Sequence, residues 1–544
     1  MNKERILWAI LFVSAASVLT LLLVLNASRG TASSQSLDSI VKAAPLDSSA
    51  TSSGLFPNCR LGVAVASSQL QQFDITSNLG VGWYLTFGTK MTPISTTEAE
   101  FAQMVSINQG SGARGGTNTC GPSYPYTITP ALTDTELGAR VDNNPGALWI
   151  IGNEPERVNV QGDICPQQYA EAYYEAYHFI KGRDPTAQVA IAGLVEVTPG
   201  RLQYLDIVWD AYLAKYGTRM PVDVWTMHVY ILSETGDGDA HIALDTDPGL
   251  AIPFSTNCPD PNTICQAEHD NMALFMEQVT MMRQWMKDHG EQNKPLIITE
   301  YGILKPYNYY GTCPGITTCP SGGYPGCFCD EYSKTYHPAR VASFLEATFD
   351  YLIAATDPQI GYPADDYRLV QQWLWYSLAT EGREDLAHAS NLVYTDTYTL
   401  TVPGWQWHDY AAGISPEVNL LPANVPPVIG SSPTGTIPVT VTLSAAVANN
   451  GNVAVTDTVT VTFYSDESLT TVIGTTTFTG LGGCARRQTV VTVTWANLSS
   501  GAYPFWVKVD SGEMIVETKE TDNVKQGLVI INPINRFLPM VLGQ

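Results

Sequence analysis

From Leu61 onward, short apolar runs bounded by Gly, Pro or Asn alternate with longer amphipathic stretches, the pattern of buried parallel strands with helices between them. The runs predict strands at 61–66, 81–87, 101–107, 147–152, 188–193, 223–230, 296–300 and 370–377. The helical pattern is clearest over 168–181, where Tyr169, Ala172, Tyr173, Ala176, Phe179 and Ile180 share one stripe; it recurs over 202–216, 272–289 and 338–355. Eight strands with interleaved helices over ~250 residues or more fit a (β/α)8, or TIM, barrel, assigned to residues 56–420. The texture then changes. Residues 421–438 are proline-rich and read as a linker, and 439–533 alternate Thr and Val with short turns, a period of two that predicts an antiparallel immunoglobulin-like β-sandwich. Residues 534–544 remain as a tail.

The ends of the chain add a compartment. Lys3, Glu4 and Arg5 precede an apolar run from Ile6 to Ala27, which fits a signal peptide or an uncleaved membrane anchor over 1–27. Leu25-Asn26-Ala27 matches a small-x-small cleavage site poorly, which favours the anchor. Residues 28–55, rich in Ser, Ala and Thr, read as a flexible tether. Either way the remainder is expected outside the cytoplasm, extracellular or at the cell surface. There the ten cysteines read as disulfides, with Cys258 and Cys265 in one stretch and Cys313, Cys319, Cys327 and Cys329 crowded in another, for which zinc is the rival. Cys484 has no cysteine near it in its own module. A net charge of −24 without a Lys/Arg cluster excludes nucleic acid as a partner. Asp237, Asp239, Asp245 and Asp247 are scattered in one loop and read as solvated; neither a metal nor a cofactor is expected.

Chemistry concentrates at strand ends. The run Leu148-Trp-Ile-Ile-Gly-Asn-Glu-Pro places Glu154 just after the fourth strand, and Pro155 stops the ladder there. Lys294-Pro-Leu-Ile-Ile-Thr-Glu-Tyr-Gly places Glu300 at the end of the seventh. Barrel active sites are built at the C-terminal ends of the strands, and two carboxyls across one such mouth are what glycosidic cleavage needs. On the sixth strand His228 and Tyr230 are two apart and share a face. On the eighth, Trp373 and Trp375 share a face and offer flat rings to a sugar; Trp83 on the second is a further candidate.

Together, the Asn153-Glu154-Pro155 strand end and the Ile-Thr-Glu300-Tyr-Gly strand end three units later resemble glycoside hydrolase clan A over 61–410. The resemblance implies a retaining mechanism with Glu154 as acid/base, Glu300 as nucleophile and Asn153 donating to the sugar 2-hydroxyl. It also implies that His228 and Tyr230 contact the nucleophile and the sugar, and that strand eight supplies the stacking aromatic, with Tyr376 standing where many members have Trp before Ser. The chain departs from many members in lacking an evident Arg at the end of strand two. In the C-terminal region, Ala448-Asn-Asn-Gly-Asn and Val516-Glu-Thr-Lys-Glu-Thr-Asp-Asn resemble the CARDB repeat, which implies an accessory or adhesive module.

The expectation is therefore an exported glycosidase acting on a β-linked polysaccharide or oligosaccharide, its C-terminal module contacting a cell surface or polymer. The alternative is a non-catalytic carbohydrate-binding or adhesion protein on the same scaffold, which would need neither glutamate.

Overall fold

The computed structural model describes residues 55–532 apart from 95–97, 115–118, 122, 236–239, 261, 307–315, 321–326, 381–385 and 432–437. The apolar N-terminal run and almost all of the tether, the tail, Asp237, Asp239, Tyr307, Tyr309, Tyr310 and Cys313 lie outside the described residues. No helix of the described residues is long and apolar enough to cross a membrane.

The N-terminal body is mixed α/β. Its strands are β1 (Asn58–Ala64), β2 (Val81–Leu85), β3 (Glu100–Phe101), β4 (Gln103–Asn108), β5 (Thr127–Thr129), β6 (Leu148–Ile151), β7 (Gln188–Ile191), β8 (Trp225–His228), β9 (Leu296–Tyr301) and β10 (Gln372–Trp375). Each predicted strand is present, the third being split at Ala102 into β3 and β4. One sheet runs β3-β2-β1-β10-β9-β8 and the other β5-β4-β6-β7, parallel throughout except for the β4–β5 hairpin. A parallel bridge from Ala190 to Val224 and the Asp223 N–H donating to Val189 O at 3.0 Å connect β7 to the approach of β8.

Alternation along the strands divides their side chains between two cores. Ala64, Trp83, Met104, Ile150, Ala190, Val224, Ile297 and Leu374 gather in one buried cluster. The opposite faces, Val63, Val105, Trp149, Val189, Trp225, Ile298 and Trp373 among them, pack in a larger core with the helices. These include α1 (Pro166–Arg183), α2 (Pro199–Tyr216), α3 (Met272–Asp288) and α4 (Pro338–Ala354). Helix α3 shows why they form: Asn271 caps its N-terminus by accepting from Ala273 N at 2.9 Å. Phe275, Val279, Met282 and Met286, three or four apart, form its buried stripe.

The C-terminal module carries β11 (Leu420–Asn424), β12 (Val428–Gly430), β13 (Val439–Asn449), β14 (Val455–Tyr464), β15 (Val472–Leu481), β16 (Gln488–Leu498), β17 (Gly501–Lys508) and β18 (Val524–Ile531). They form sheets β11-β13-β16 and β12-β18-β17-β14-β15, with Leu443, Val447, Val459, Val461, Phe463, Phe505, Val507 and Val529 buried between them. The linker expected over 421–438 is corrected in part: β11 and β12 take up 421–424 and 428–430 of it. Pro422 is tolerated because β11 is an edge strand, where a missing N–H costs no ladder bond.

The module is bolted to the N-terminal ends of the first body's strands. Cys484 bonds to Cys59, 425 residues away at the start of β1. Arg486 and Arg487 both pair with Glu100, at 2.5 and 2.8 Å, and their Nε atoms donate to Gln188 Oε1 at 3.1 and 2.9 Å. Arg60 joins Asp365 at 3.0 Å and also donates to Asn450 O of the module.

Among the described cysteines none is free. Cys258 pairs with Cys265 and Cys120 with Cys165. Cys319 bonds to Cys329, and Cys327 is disulfide-bonded too, which overturns zinc at these three cysteines.

Candidate active site

Glu154 and Glu300 meet at one end of the parallel strands. After β6 the chain turns through Gly152 (φ 99°) and brings Glu154 to φ 40°, a left-handed conformation that non-glycine residues avoid. The surroundings hold it there. Glu154 N donates to Gly193 O beyond β7 at 3.1 Å, and the following loop is pinned by the buried Arg114–Asp163 pair at 2.7 Å. Glu300 needs no such device, because it lies within β9 in register with His228 of β8. Gly193 leaves room for the His228 ring: a Cβ there would stand 2.5 Å from His228 Cδ2.

One imidazole bridges the two carboxylates. His228 Nδ1 lies 3.2 Å from Glu154 Oε1 and 3.9 Å from Glu300 Oε2, and one atom from each of the three residues lies within 4.8 Å of the others. The Tyr230 hydroxyl donates to Glu300 Oε1 at 2.8 Å, and Arg157 reaches Glu154 Oε2 at 2.9 Å. Glu154 is 2% exposed and Glu300 8%. Several polar atoms here have no hydrogen-bonding partner: Glu300 Oε2, Asn153 Oδ1 and, at the ends of β2 and β10, Thr86 Oγ1 and Ser377 Oγ. Buried groups are seldom left so, and a site meant for a polar ligand is one place where they are.

Charge is divided unequally. Burial pushes the Glu154 carboxyl up, but the His228 hydrogen bond and the Arg157 guanidinium outweigh it and hold Glu154 below the usual carboxylate range. Burial raises Glu300 to about 7, with the Glu154 charge adding to it against His228 and Tyr230. His228 itself is raised, because the two glutamates outweigh its desolvation. The surroundings thus favour the ionised form more at Glu154 than at Glu300.

The structure brings together Glu154, Glu300, His228 and Tyr230, with Asn153 adjoining Glu154 in the same turn. It does not bring the tryptophans. Trp373 packs on Phe349, and Trp375 packs on Tyr301 and donates to Ser390 O, both without solvent exposure; Trp83 is closed into the inner cluster. The stacking expected of them is corrected. The reason is parity: Leu374 faces inward, so its even-numbered neighbour Tyr376 continues that face. Tyr376 lines a cavity of about 210 Å³ with Phe87, whose ring meets it edge-on at 5.8 Å. The clan A resemblance already points to position 376, and alternation from Leu374 separates it from the tryptophans. Nothing in the sequence signals Arg157.

Residues 428–527 match the CARDB domain model, so this chain contains a CARDB domain. No curated protein matches the sequence. Solved structures with some likeness include the CARDB domain of a Pyrococcus furiosus protein, determined in complex with di-metal ions (21% identity, 22% of this chain, 96% of that one, TM-score 0.18). Also similar are a Bacteroides uniformis β-glucuronidase (10% identity, 88% of this chain, 46% of that one, TM-score 0.35) and a Croceicoccus marinus glucosidase (11% identity, 81% and 94%, TM-score 0.36). At scores this low, likeness of shape assigns no activity.

Proposed function

We propose that this protein is an exported retaining glycoside hydrolase, of the clan A kind, acting on a β-linked polysaccharide or oligosaccharide from the C-terminal ends of a (β/α)8 barrel. The barrel reading is supported by the bridge between the two sheets and by the inner cluster, which draws side chains from β1, β2, β4, β6, β7, β9 and β10 and from Val224 just before β8. The single observation that carries the function is the carboxylate pair: Glu154 and Glu300, from different strand ends, approach within 4.8 Å about one histidine. Retention needs carboxyls ~5–5.5 Å apart, whereas inversion leaves room for a water at ~6.5–9.5 Å.

In this reading Glu300 attacks the anomeric carbon, its charge steadied by the Tyr230 hydroxyl, and Glu154 protonates the departing oxygen. Arg157 must leave Glu154 first. His228, within reach of both carboxylates, then carries the proton from Glu300 to Glu154, so that substrate entry sets the charges. Tyr376 and Phe87 present the aromatic wall and Asn153 the polar contact to the sugar.

The N-terminal run exports or anchors the chain, the body from 56 to 420 cleaves, and the CARDB domain contacts a cell surface or polymer. A reducing-end assay of the exported chain on β-glucan, mannan and xylan, beside Glu154→Gln and Glu300→Gln, tests the activity. Release by wild type alone is expected. A protein that binds these polymers and cleaves none would be the carbohydrate-binding alternative.

A further inference from the structure

Beside the site, one buried guanidinium serves three buried carboxylates. Arg201, near the start of α2, donates to Glu156 at 2.7 Å and to the Ala240 and His241 carbonyls, and its Nε lies 3.1 Å from Glu234 without a directed hydrogen bond. Glu196 is left over. It stands 3.6 Å from Arg201 Nε, its Oε2 accepts from Leu232 N at 3.0 Å, and its Oε1 accepts no hydrogen bond although the residue is 2% exposed. Two more carboxylates than cations in one dry cluster cannot all be ionised.

Glu196 also forms part of the wall of a cavity of about 650 Å³, between the start of α2, α3 and the loop after β8. The hydrocarbon side of that cavity comes from Leu232, Ile252, Ile264, Leu274 and Met281. Its remaining ionisable groups are Asp260, Glu268 and Glu277, and no lysine, arginine or histidine is among the described lining residues.

We propose that this cavity is a second binding site, for an organic ammonium ion with a hydrocarbon body, and that Glu196 Oε1 takes the ammonium group. One unpartnered carboxylate oxygen, three further acidic side chains, no described cationic lining residue and a hydrocarbon wall suit such a cation. A divalent metal is poorly served: two clusters of three or more metal-ligating side chains occur among the described residues, and neither includes Glu196. Burial, with the charges of Glu234 and Glu156 adding to it against Arg201, raises the Glu196 carboxyl to about 8. At neutral pH the arriving ammonium therefore takes the place of a proton, which is released to solvent, and the carboxylate gains the cation that Arg201 supplies only at a distance. The site does not depend on whether the protein hydrolyses glycosides.

Calorimetric titration of the exported chain at pH 7 with hexylammonium, hexanol and calcium chloride tests it. Hexylammonium is expected to saturate one site, with an apparent heat that scales with the buffer's ionisation enthalpy because a proton is released. Glu196→Gln should weaken it by about tenfold or more, the scale of one charge-assisted hydrogen bond. Should that variant not fold, Leu274→Trp fills the cavity while leaving the carboxylates intact, and binding should be lost there too. Hexanol binding as tightly as hexylammonium, calcium saturating in its place, titration heats unchanged by both variants, or no saturable heat from wild type would each overturn the proposal.

Discussion

The two ends of the parallel strands handle charge in opposite ways. At the N-terminal ends, under the CARDB domain, Glu100 is held between Arg486 and Arg487, Arg60 is held by Asp365, and a disulfide closes the seam. At the C-terminal ends, Glu154 and Glu300 share His228 with Arg157 alongside, and the neighbouring Glu156, Glu196 and Glu234 share Arg201. Opposite charges and satisfied bonds make a joint. Surplus carboxylates, orphaned polar atoms and a glutamate at positive φ destabilise the fold, and they persist where a ligand will meet them. The comparison assigns stability to one end and chemistry to the other, and each variant below asks whether that division holds.

The largest effect should come from the chemical end. Glu300→Ala should lower kcat by about 10⁴-fold or more, since removing one member of a catalytic set costs nearly as much as removing the whole. The melting temperature should hold or rise, because a buried, poorly matched carboxyl is removed. A variant that loses stability in proportion to activity would make Glu300 structural.

Next is the joint. Replacing Cys59 and Cys484 together by Ser should cost about 2–5 kcal/mol in denaturant unfolding, while kcat at saturating substrate per folded molecule stays within about twofold. A large fall in kcat with unchanged stability would mean that the CARDB domain helps to build the site.

Arg157→Gln comes third. Arg157 holds Glu154 down, so its loss should move the limb of the pH–rate profile that Glu154 governs to higher pH, with about tenfold or less lost in kcat. A profile unmoved on the pH axis would show that Arg157 does not set the charge of Glu154.

The smallest effect is a pH trend in stability. Glu300 and Glu196 release protons near 4.5 when unfolded but hold them to about 7 and about 8 when folded. Between those values the native state binds more protons than the unfolded one. Their contribution is therefore most favourable below about pH 4.5 and declines until about pH 8. Melting temperature should fall by a few degrees from pH 5.5 to 8.5, and Glu196→Gln should flatten the trend; a wild-type curve that is level or rising would contradict the raised carboxyls.

Much of this was legible in the sequence, for local reasons. Apolar runs closed by Gly or Pro marked the strands, and each catalytic candidate lies at the end of one or within three residues beyond it. What was missed depends on distant partners or on parity. Cys59 and Cys484 cannot be paired from the sequence across 425 residues, nor can three glutamates be assigned to Arg201. Strand β15 is marked only weakly in the sequence, because it is an edge strand rich in Thr and Gly with few buried positions. The tryptophans of β10 misled because aromatic size was weighed ahead of the face on which Leu374 puts its neighbours. Prolines at 422, 426 and 427 suggested a free linker where one lies in an edge strand and two between strands.

The central claim, that Glu300 attacks and Glu154 handles the proton, is tested most directly by azide rescue on an aryl β-glycoside with a good leaving group, followed by NMR of the product. The account predicts that azide accelerates Glu154→Ala and yields the β-glycosyl azide, because azide then attacks a glycosyl group already bonded to Glu300. Azide acting on Glu300→Ala should give the inverted α-glycosyl azide. The opposite pairing, a β-glycosyl azide from Glu300→Ala and an α-glycosyl azide from Glu154→Ala, would exchange the two roles and contradict the assignment.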